Sequence, residues 1–338
     1  MDVILRKKPL SDAEMDLADV RAGRDLSFFD LVSINQVTDK DLVLLFDVAR
    51  RFRDYKTYKF SFNKGYSHIN AFFEPSTRTS SSFDLAAKQL SMDTASVSGN
   101  SSLSKGESYL DTVQTIDAYN VKTIIIRSKE SGVPEMAARH TNASIINAGD
   151  GWHEHPTQAL LDGLTITDHV GSMNLKGIVV VIVGDILHSR VFGSLVRLLK
   201  KMGATIRVAA PHTLIPKEVE RFGVTHHVSI EEALSGADVV YALRVQSERG
   251  ANGFVPSLRE YSKMFGISKA RMALAKKDAM LMHPGPVIRD IDVHSVFAAA
   301  DEQSYILRQV ENGMAVRKSL LWLISDRIDG VRKTFTRK

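Results

Sequence analysis

Short runs of consecutive apolar residues alternate along this chain with longer stretches in which apolar positions recur every three or four residues. The first rhythm belongs to strands buried on both faces, the second to amphipathic helices. The short runs are His68–Phe73, Thr123–Ile126, Ser144–Ala148, Ile178–Val183, Thr205–Ala209, Val239–Leu243 and Ala279–Met282. Helical spacing begins after Thr38, where Leu42, Leu45, Phe46, Ala49 and Phe52 share a face behind a Thr38-x-x-Asp41 capping box. It returns at Phe83, Ala86, Ala87 and Leu90, after Pro156, after Ser229-x-x-Glu232 and Ser257-x-x-Glu260, and over roughly 305–324. This alternation predicts an α/β fold of parallel, doubly wound sheets flanked by helices.

At 338 residues the chain exceeds what one core usually serves, so two domains are expected. The connector is Gly171-Ser-Met-Asn174, inside a boundary region at 168–176. One domain then spans 28–168, a second 169–304, and a terminal helix lies in 305–338, with periodicity leaving its ownership open. Residues 1–27 are charged and lack an apolar leader-like run, which favours a flexible extension or small docking segment over a secretory signal.

Composition narrows the class. Hydrophobic residues are 44% and charged residues 25%, ordinary for a soluble protein. The longest apolar run, Ile178–Val183, is far short of the ~20 residues that span a bilayer. The absence of cysteine excludes disulfides and thiolate metal sites and fits a cytoplasmic location. A net charge of +5 is spread without a basic block, which fits an acidic small-molecule substrate better than nucleic acid.

Candidate chemistry concentrates where strands give way to helices. Residues Phe72 to Phe83 read Phe-Phe-Glu-Pro-Ser-Thr-Arg-Thr-Ser-Ser-Ser-Phe. Pro75 ends the strand, and Ser76, Thr77, Arg78 and Thr79 open a helix. Free N–H groups, the positive end of the helix dipole and a guanidinium fork together make a cradle for phosphate. Without a Gly-rich P-loop, a nucleoside triphosphate is not its ligand. Caps alone would need no arginine. Beyond other strand ends stand Arg127, the Gly149–Gln158 segment with His155 and Gln158, Arg190, Arg244 with Gln246, and His283-Pro-Gly-Pro286. Ligands of open α/β sheets bind at such ends. Positive and hydrogen-bonding groups dominate there, which argues against glycoside hydrolysis or a carboxylate-bound magnesium.

His153 and His155 lack a third ligand at useful spacing, so no metal is expected. Gly184-Asp185 after the Ile178 strand starts a dinucleotide fingerprint but the second and third glycines are missing, which argues against NAD. The polar loop Ser101-Ser-Leu-Ser-Lys105-Gly-Glu-Ser108 suits a mobile lid carrying a charge.

Phe72–Thr79, together with these separated motifs in order over roughly 28–325, resembles the transcarbamoylase family. Ser101–Ser108, Arg244-Val-Gln246-Ser-Glu-Arg249 and His283-Pro-Gly-Pro286 resemble its aspartate-using members more than its ornithine-using ones. The resemblance implies carbamoyl transfer from carbamoyl phosphate to L-aspartate, without cofactor, in a homotrimer with shared sites, as the committed step of pyrimidine synthesis. It implies that Ser76, Thr77, Arg78 and Thr79 bind phosphate, and that Arg127 bridges phosphate and carbonyl oxygen. His155 and Thr79 would polarise the carbonyl. Gln158 and the backbone carbonyls of Gly285 and Pro286 would hold the carbamoyl NH2. Arg190, Arg244, Gln246 and Lys105 would bind aspartate, with Ser101 and Lys105 coming from the neighbouring subunit. Glu74 would pair with Arg190 and Arg249 to hold the closed state, and the terminal helix would pack back on the first domain. Regulatory or dihydroorotase chains are possible partners; nucleic acid and membrane are not.

The chain departs from the family pattern twice. Ser80 replaces a second arginine of the phosphate loop, and Val287-Ile-Arg-Asp-Ile-Asp292 replaces a usual x-Asn-Arg-Gly-x-Glu, which puts local support of both loops in question. Two alternatives stay open: transfer to another amine such as ornithine, and a catalytically degenerate scaffold.

Overall fold

The computed structural model describes residues 11–98, 106–246, 257–297 and 301–326. Strands β1 (Ser67–Phe72), β2 (Asp93–Ser98), β3 (Thr123–Ser128) and β4 (Ser144–Asp150) form a parallel sheet in the order β2-β1-β3-β4. Strands β5 (Val179–Val183), β6 (Thr205–Ala209), β7 (Thr225–His227), β8 (Val239–Ala242) and β9 (Met280–Met282) form a second parallel sheet in the order β7-β6-β5-β8-β9. The two-sheet α/β architecture read from the alternating pattern is therefore present.

The helices are α1 (Asp12–Arg21), α2 (Asp39–Asp54), α3 (Thr77–Gln89), α4 (Tyr109–Asp117), α5 (Val133–His140), α6 (Pro156–Val170), α7 (Arg190–Lys201), α8 (Ile230–Leu234), α9 (Leu258–Phe265), α10 (Lys269–Met272) and α11 (Ile306–Ser325). Thr38 caps α2 reciprocally with Asp41. Ser229 and Ser257 cap α8 and α9 by accepting from the Glu232 and Glu260 N–H groups, without a matching return bond from either glutamate to the cap N–H. Strands β2 and β7 are edges with polar side chains that blunt pairing with other chains, whereas the apolar edges β4 and β9 are each met by a further bridge, Leu31 to Ile146 and Ser304 to Leu281.

A continuous core links the two sheets through α6. At Gly163 an added Cβ would stand 2.8 Å from Leu198 and 3.3 Å from Phe46, so α2 and α7 both press on this helix. Each such fully buried Leu or Phe contributes ~1.5–3 kcal/mol. Helix α11 lies against α2, α3 and α6, which assigns it to the first sheet's side. Lys318 donates to the Phe52 carbonyl at 3.1 Å, Asn312 donates to Thr165 at 2.9 Å, and Trp322 meets Phe52 edge-on at 5.8 Å. Helix α1, inside the stretch read as an extension, is seated on this same layer. Leu17 is fully buried, the Glu14 carboxylate accepts from Ser61 N at 2.6 Å, and Arg21 covers the Trp322 ring at 5.1 Å.

Candidate active site

In each sheet the strand order reverses once, and a crevice opens there at the carboxyl ends. In the first sheet the reversal lies between β1 and β3, in the second between β5 and β8. Sequence-predicted residues sit at both. Glu74 to Thr79 follow β1, and Arg127 lies near the end of β3. Arg190 follows β5 at the first turn of α7, and Arg244 and Gln246 follow β8. Phe73 N donates to the Arg127 carbonyl at 2.8 Å and so joins the two loops of the first crevice.

Ser76 is the extended residue before α3, yet its side chain makes no capping bond. The Ser76 hydroxyl therefore does not serve the cap. Thr79 is buried in the first helical turn, while the Arg78 guanidinium reaches outward with its pKa lowered by partial burial. Ser80 is half-buried, and its carbonyl accepts from Asn70 at 3.4 Å.

In the second crevice the residues are braced by protein carboxylates. Asp185, fully buried, accepts from Gln246 N at 3.0 Å and holds the His188 ring at 2.9 Å. Arg244 reaches Gln246 Oε1 at 3.4 Å. Arg190 is only 3% exposed and points back to the first sheet, where Nη1 meets Glu74 Oε2 at 2.8 Å and the Ser128 carbonyl at 3.4 Å. The same Glu74 oxygen is 3.6 Å from Arg127 Nε. One carboxylate thus ties arginines of both halves.

Two glycines make these crossings possible. Gly149 (φ +114°) leaves room for Arg190, whose Nε would lie 2.8 Å from an added Cβ; Gly285 (φ +72°) does the same for Arg78 Nη1 at 2.8 Å.

His155 is the buried residue before α6. Its N–H donates to Ser194 Oγ at 2.8 Å, and its Nδ1 is 3.4 Å from Thr157 Oγ1. Gln158 Nε2 donates to Asp162 Oδ1 at 3.0 Å. Asp162 also accepts from Gln309 Nε2 at 2.7 Å and from the Tyr241 hydroxyl at 2.7 Å. Complete burial pushes this carboxyl up to about 7, against the pull of its three donors and of Arg317. Tyr241 moves well above the ordinary phenol value through burial and the nearby Asp162 charge.

Gly285 and Pro286 belong to a loop held at its root. His283 N donates to Gln309 Oε1 at 2.9 Å, and Gly285 N to His283 Nδ1 at 2.8 Å. The departure that follows carries its own support. Asp290 takes the left-handed conformation (φ +62°), which Asp tolerates, and its carboxylate accepts from Ser295 N at 2.9 Å. Asp292 accepts from Ile288 N at 2.9 Å and faces His283 Nε2 at 3.4 Å.

Ser101, Lys105 and Arg249 lie outside the described residues. Among the described residues no group of three or more His, Asp or Glu side chains is arranged to hold a metal ion, and no helix is long and apolar enough to cross a membrane. Sequence reasoning missed Asp162, Asp185, Tyr241 and Gln309. A usable signal existed for the first, a charged residue four after Gln158 in the otherwise apolar run Ala159–Leu164.

These features define a two-domain α/β protein whose paired switch points converge on one cationic, carboxylate-bridged cleft. The model of the aspartate/ornithine carbamoyltransferase carbamoyl-phosphate-binding domain matches residues 30–168, and that of the family's Asp/Orn-binding domain matches 176–324. The chain belongs to the aspartate/ornithine carbamoyltransferase family. It is 50% identical over 282 residues to an aspartate carbamoyltransferase catalytic subunit of Sorangium cellulosum, covering 83% of this chain and 86% of that one. A catalytic subunit of the same name from Acetivibrio thermocellus is 45% identical over 305 residues, covering 89% and 97%. Among solved structures, the Trypanosoma cruzi aspartate transcarbamoylase in complex with N-(phosphonacetyl)-L-aspartic acid superposes with a TM-score of 0.76 at 32% identity, covering 87% and 94%. An ornithine carbamoyltransferase from Thermus thermophilus shares the fold at 24% identity and a TM-score of 0.77, covering 88% and 99%.

Proposed function

We propose that this chain transfers the carbamoyl group of carbamoyl phosphate to the amine of L-aspartate, giving N-carbamoyl-L-aspartate and phosphate, the committed step of pyrimidine synthesis. The observation that carries this reading is Glu74 bridging Arg127 and Arg190 at 3.6 and 2.8 Å. A carboxylate is already accommodated where an aspartate carboxylate would bind, between the two crevices.

In this reading Ser76, Thr77, Arg78 and Thr79 hold the phosphate at the start of α3. Arg127 spans phosphate and carbonyl oxygen, and His155 and Thr79 donate to that oxygen. Gln158 and the carbonyls of Gly285 and Pro286 accept from the NH2. Arg190, Arg244 and Gln246 clamp the aspartate carboxylates. The amine lone pair attacks the carbamoyl carbon and an oxyanion develops toward donors already in place. The C–O bond to phosphate then breaks, and phosphate leaves with the electron pair and accepts the amine proton. Orientation across a closing cleft can supply ~7–11 kcal/mol of the barrier. Glu74, with Arg190 and Arg249, would hold the closed state. Ser101 and Lys105 would come from a neighbouring copy, so the active form would be a homotrimer, working in the cytoplasm without a cofactor or metal.

Transfer to ornithine is the rival, and Arg190, buried deep in the cleft, opposes an acceptor bearing a second ammonium group. The test is product formation from carbamoyl phosphate with aspartate and ornithine side by side, in wild type and Arg244→Ala. Carbamoyl-aspartate from wild type, with ornithine inert and the variant impaired, is expected. Ornithine turnover, or no turnover from a folded trimer, would overturn the reading.

A further inference from the structure

The Asp162 carboxylate is fully buried, and no step above uses it. Its contacts nevertheless reach both groups assigned to the carbamoyl NH2. Oδ1 accepts from Gln158 Nε2 at 3.0 Å and from Gln309 Nε2 at 2.7 Å, while Oδ2 accepts from Tyr241 at 2.7 Å. A carboxylate oxygen accepts only, so each glutamine must turn its NH2 end toward Asp162. The Gln158 end not spent on this network is then Oε1, an acceptor. In Gln309 the remaining Oε1 accepts from His283 N at 2.9 Å and pins the root of the Gly285–Pro286 loop.

We propose that Asp162 is a positioning residue that fixes the polarity of the Gln158 amide and, through Gln309, the Gly285–Pro286 carbonyls, so that the site selects an acyl phosphate carrying NH2. The proposal rests on the reading that Gln158 faces the carbamoyl nitrogen. An amide has nearly the same shape either way round, so only its hydrogen-bond partners decide which end meets the substrate. With Asp162 removed the Gln158 amide turns freely, and half of its orientations set a donor against the carbamoyl N–H groups. A methyl group in that position is indifferent to the turn.

The readout is the ratio of kcat/KM for carbamoyl phosphate over acetyl phosphate, with aspartate as acceptor. In both reactions the amine–carbon bond forms, the C–O bond to phosphate breaks, and phosphate leaves with the electron pair. Asp162→Ala is expected to lower the ratio about tenfold, roughly the net worth of one hydrogen bond. Asp162→Asn restores it, because its Oδ1 still accepts from both glutamines while Nδ2 turns to the Tyr241 oxygen. On a Gln158→Met background, Asp162→Ala lowers the ratio only by the smaller factor carried through Gln309. An equal loss on both acyl phosphates, leaving the ratio at the wild-type value, would mean that Asp162 serves only the core and would overturn the proposal. Should Asp162→Ala not fold, Gln309→Leu keeps the carboxylate and cuts the tie to His283; it is expected to lower the ratio by a smaller factor, and an unchanged ratio there contradicts the proposal. Gln158→Met alone separates the two levels. If it leaves the ratio unchanged, the assignment of Gln158 to the carbamoyl nitrogen is what fails. If it lowers the ratio and Asp162→Ala does not, only the role of Asp162 fails.

Discussion

Arg78 and Arg190 cross the same cleft in opposite directions and are treated differently by their surroundings. Arg78 leaves the first sheet's crevice and lies against Gly285 of the second half, reaching outward from the start of α3. Arg190 leaves the second sheet's crevice and lies against Gly149 of the first half, where Glu74 already holds it at 2.8 Å. In the proposed reading the first half would present a cradle to an anion that brings its own charge. The second half holds its arginine on an internal carboxylate, so in the proposed reading a substrate carboxylate would share or take over that contact. Binding in the second crevice would then be bound up with the Glu74 tie between domains, and binding in the first would not.

The largest expected break in this comparison is Arg78→Ala. Loss of one preorganised donor to the phosphate should cut kcat/KM for carbamoyl phosphate about a hundred- to a thousandfold, with stability unchanged in thermal melts. Glu74→Ala should act the other way round. It leaves Arg190, 3% exposed, without its carboxylate, and removing one partner of a buried pair costs ~3 kcal/mol, read as a lower denaturant midpoint. An equal stability loss in both variants would erase the distinction.

Lys318 sharpens the comparison from outside the cleft, since it belongs to the α11 scaffold. Burial lowers its pKa from 10.5 to about 8. Between about 8 and 10.5 the folded state therefore binds fewer protons than the unfolded chain, so this residue makes stability rise with pH across that window. Lys318→Met should abolish that rise, worth up to about 3 kcal/mol, in urea melts at several pH values, and leave the KM for aspartate alone. The smallest effect is expected from Gly149→Ala, whose added Cβ displaces Arg190. The KM for aspartate should increase about tenfold, by roughly the worth of one weakened contact, while carbamoyl phosphate affinity holds.

Much of this was legible in the chain because buried parallel strands write themselves as apolar runs, and β1, β3, β4, β5, β6, β8 and β9 all do so. Of the four edge strands, β2 and β7 do not, since they mix polar residues without a clean period. Candidate residues that announce themselves by type at a strand end, such as Arg78, Arg127, His155 and Arg190, were readable, and the structure places them around the same cleft. Asp162, Asp185, Tyr241 and Gln309 were not, because their significance lies in contacts between elements far apart in sequence. Gln309 and Asp162, 147 residues apart, are partners only once α11 returns to the first sheet's side. The Asp290 departure looked like lost support until its left-handed conformation and its bond to Ser295 explained it.

The central claim is that the two crevices are halves of one site, and a bisubstrate compound tests it most directly. Titration calorimetry would compare N-(phosphonacetyl)-L-aspartic acid with carbamoyl phosphate alone, on wild type, Arg78→Ala and Arg190→Ala. The account expects both variants to lose tight binding of the bisubstrate compound and only Arg78→Ala to lose carbamoyl phosphate. Undiminished binding of the bisubstrate compound to either variant would contradict it.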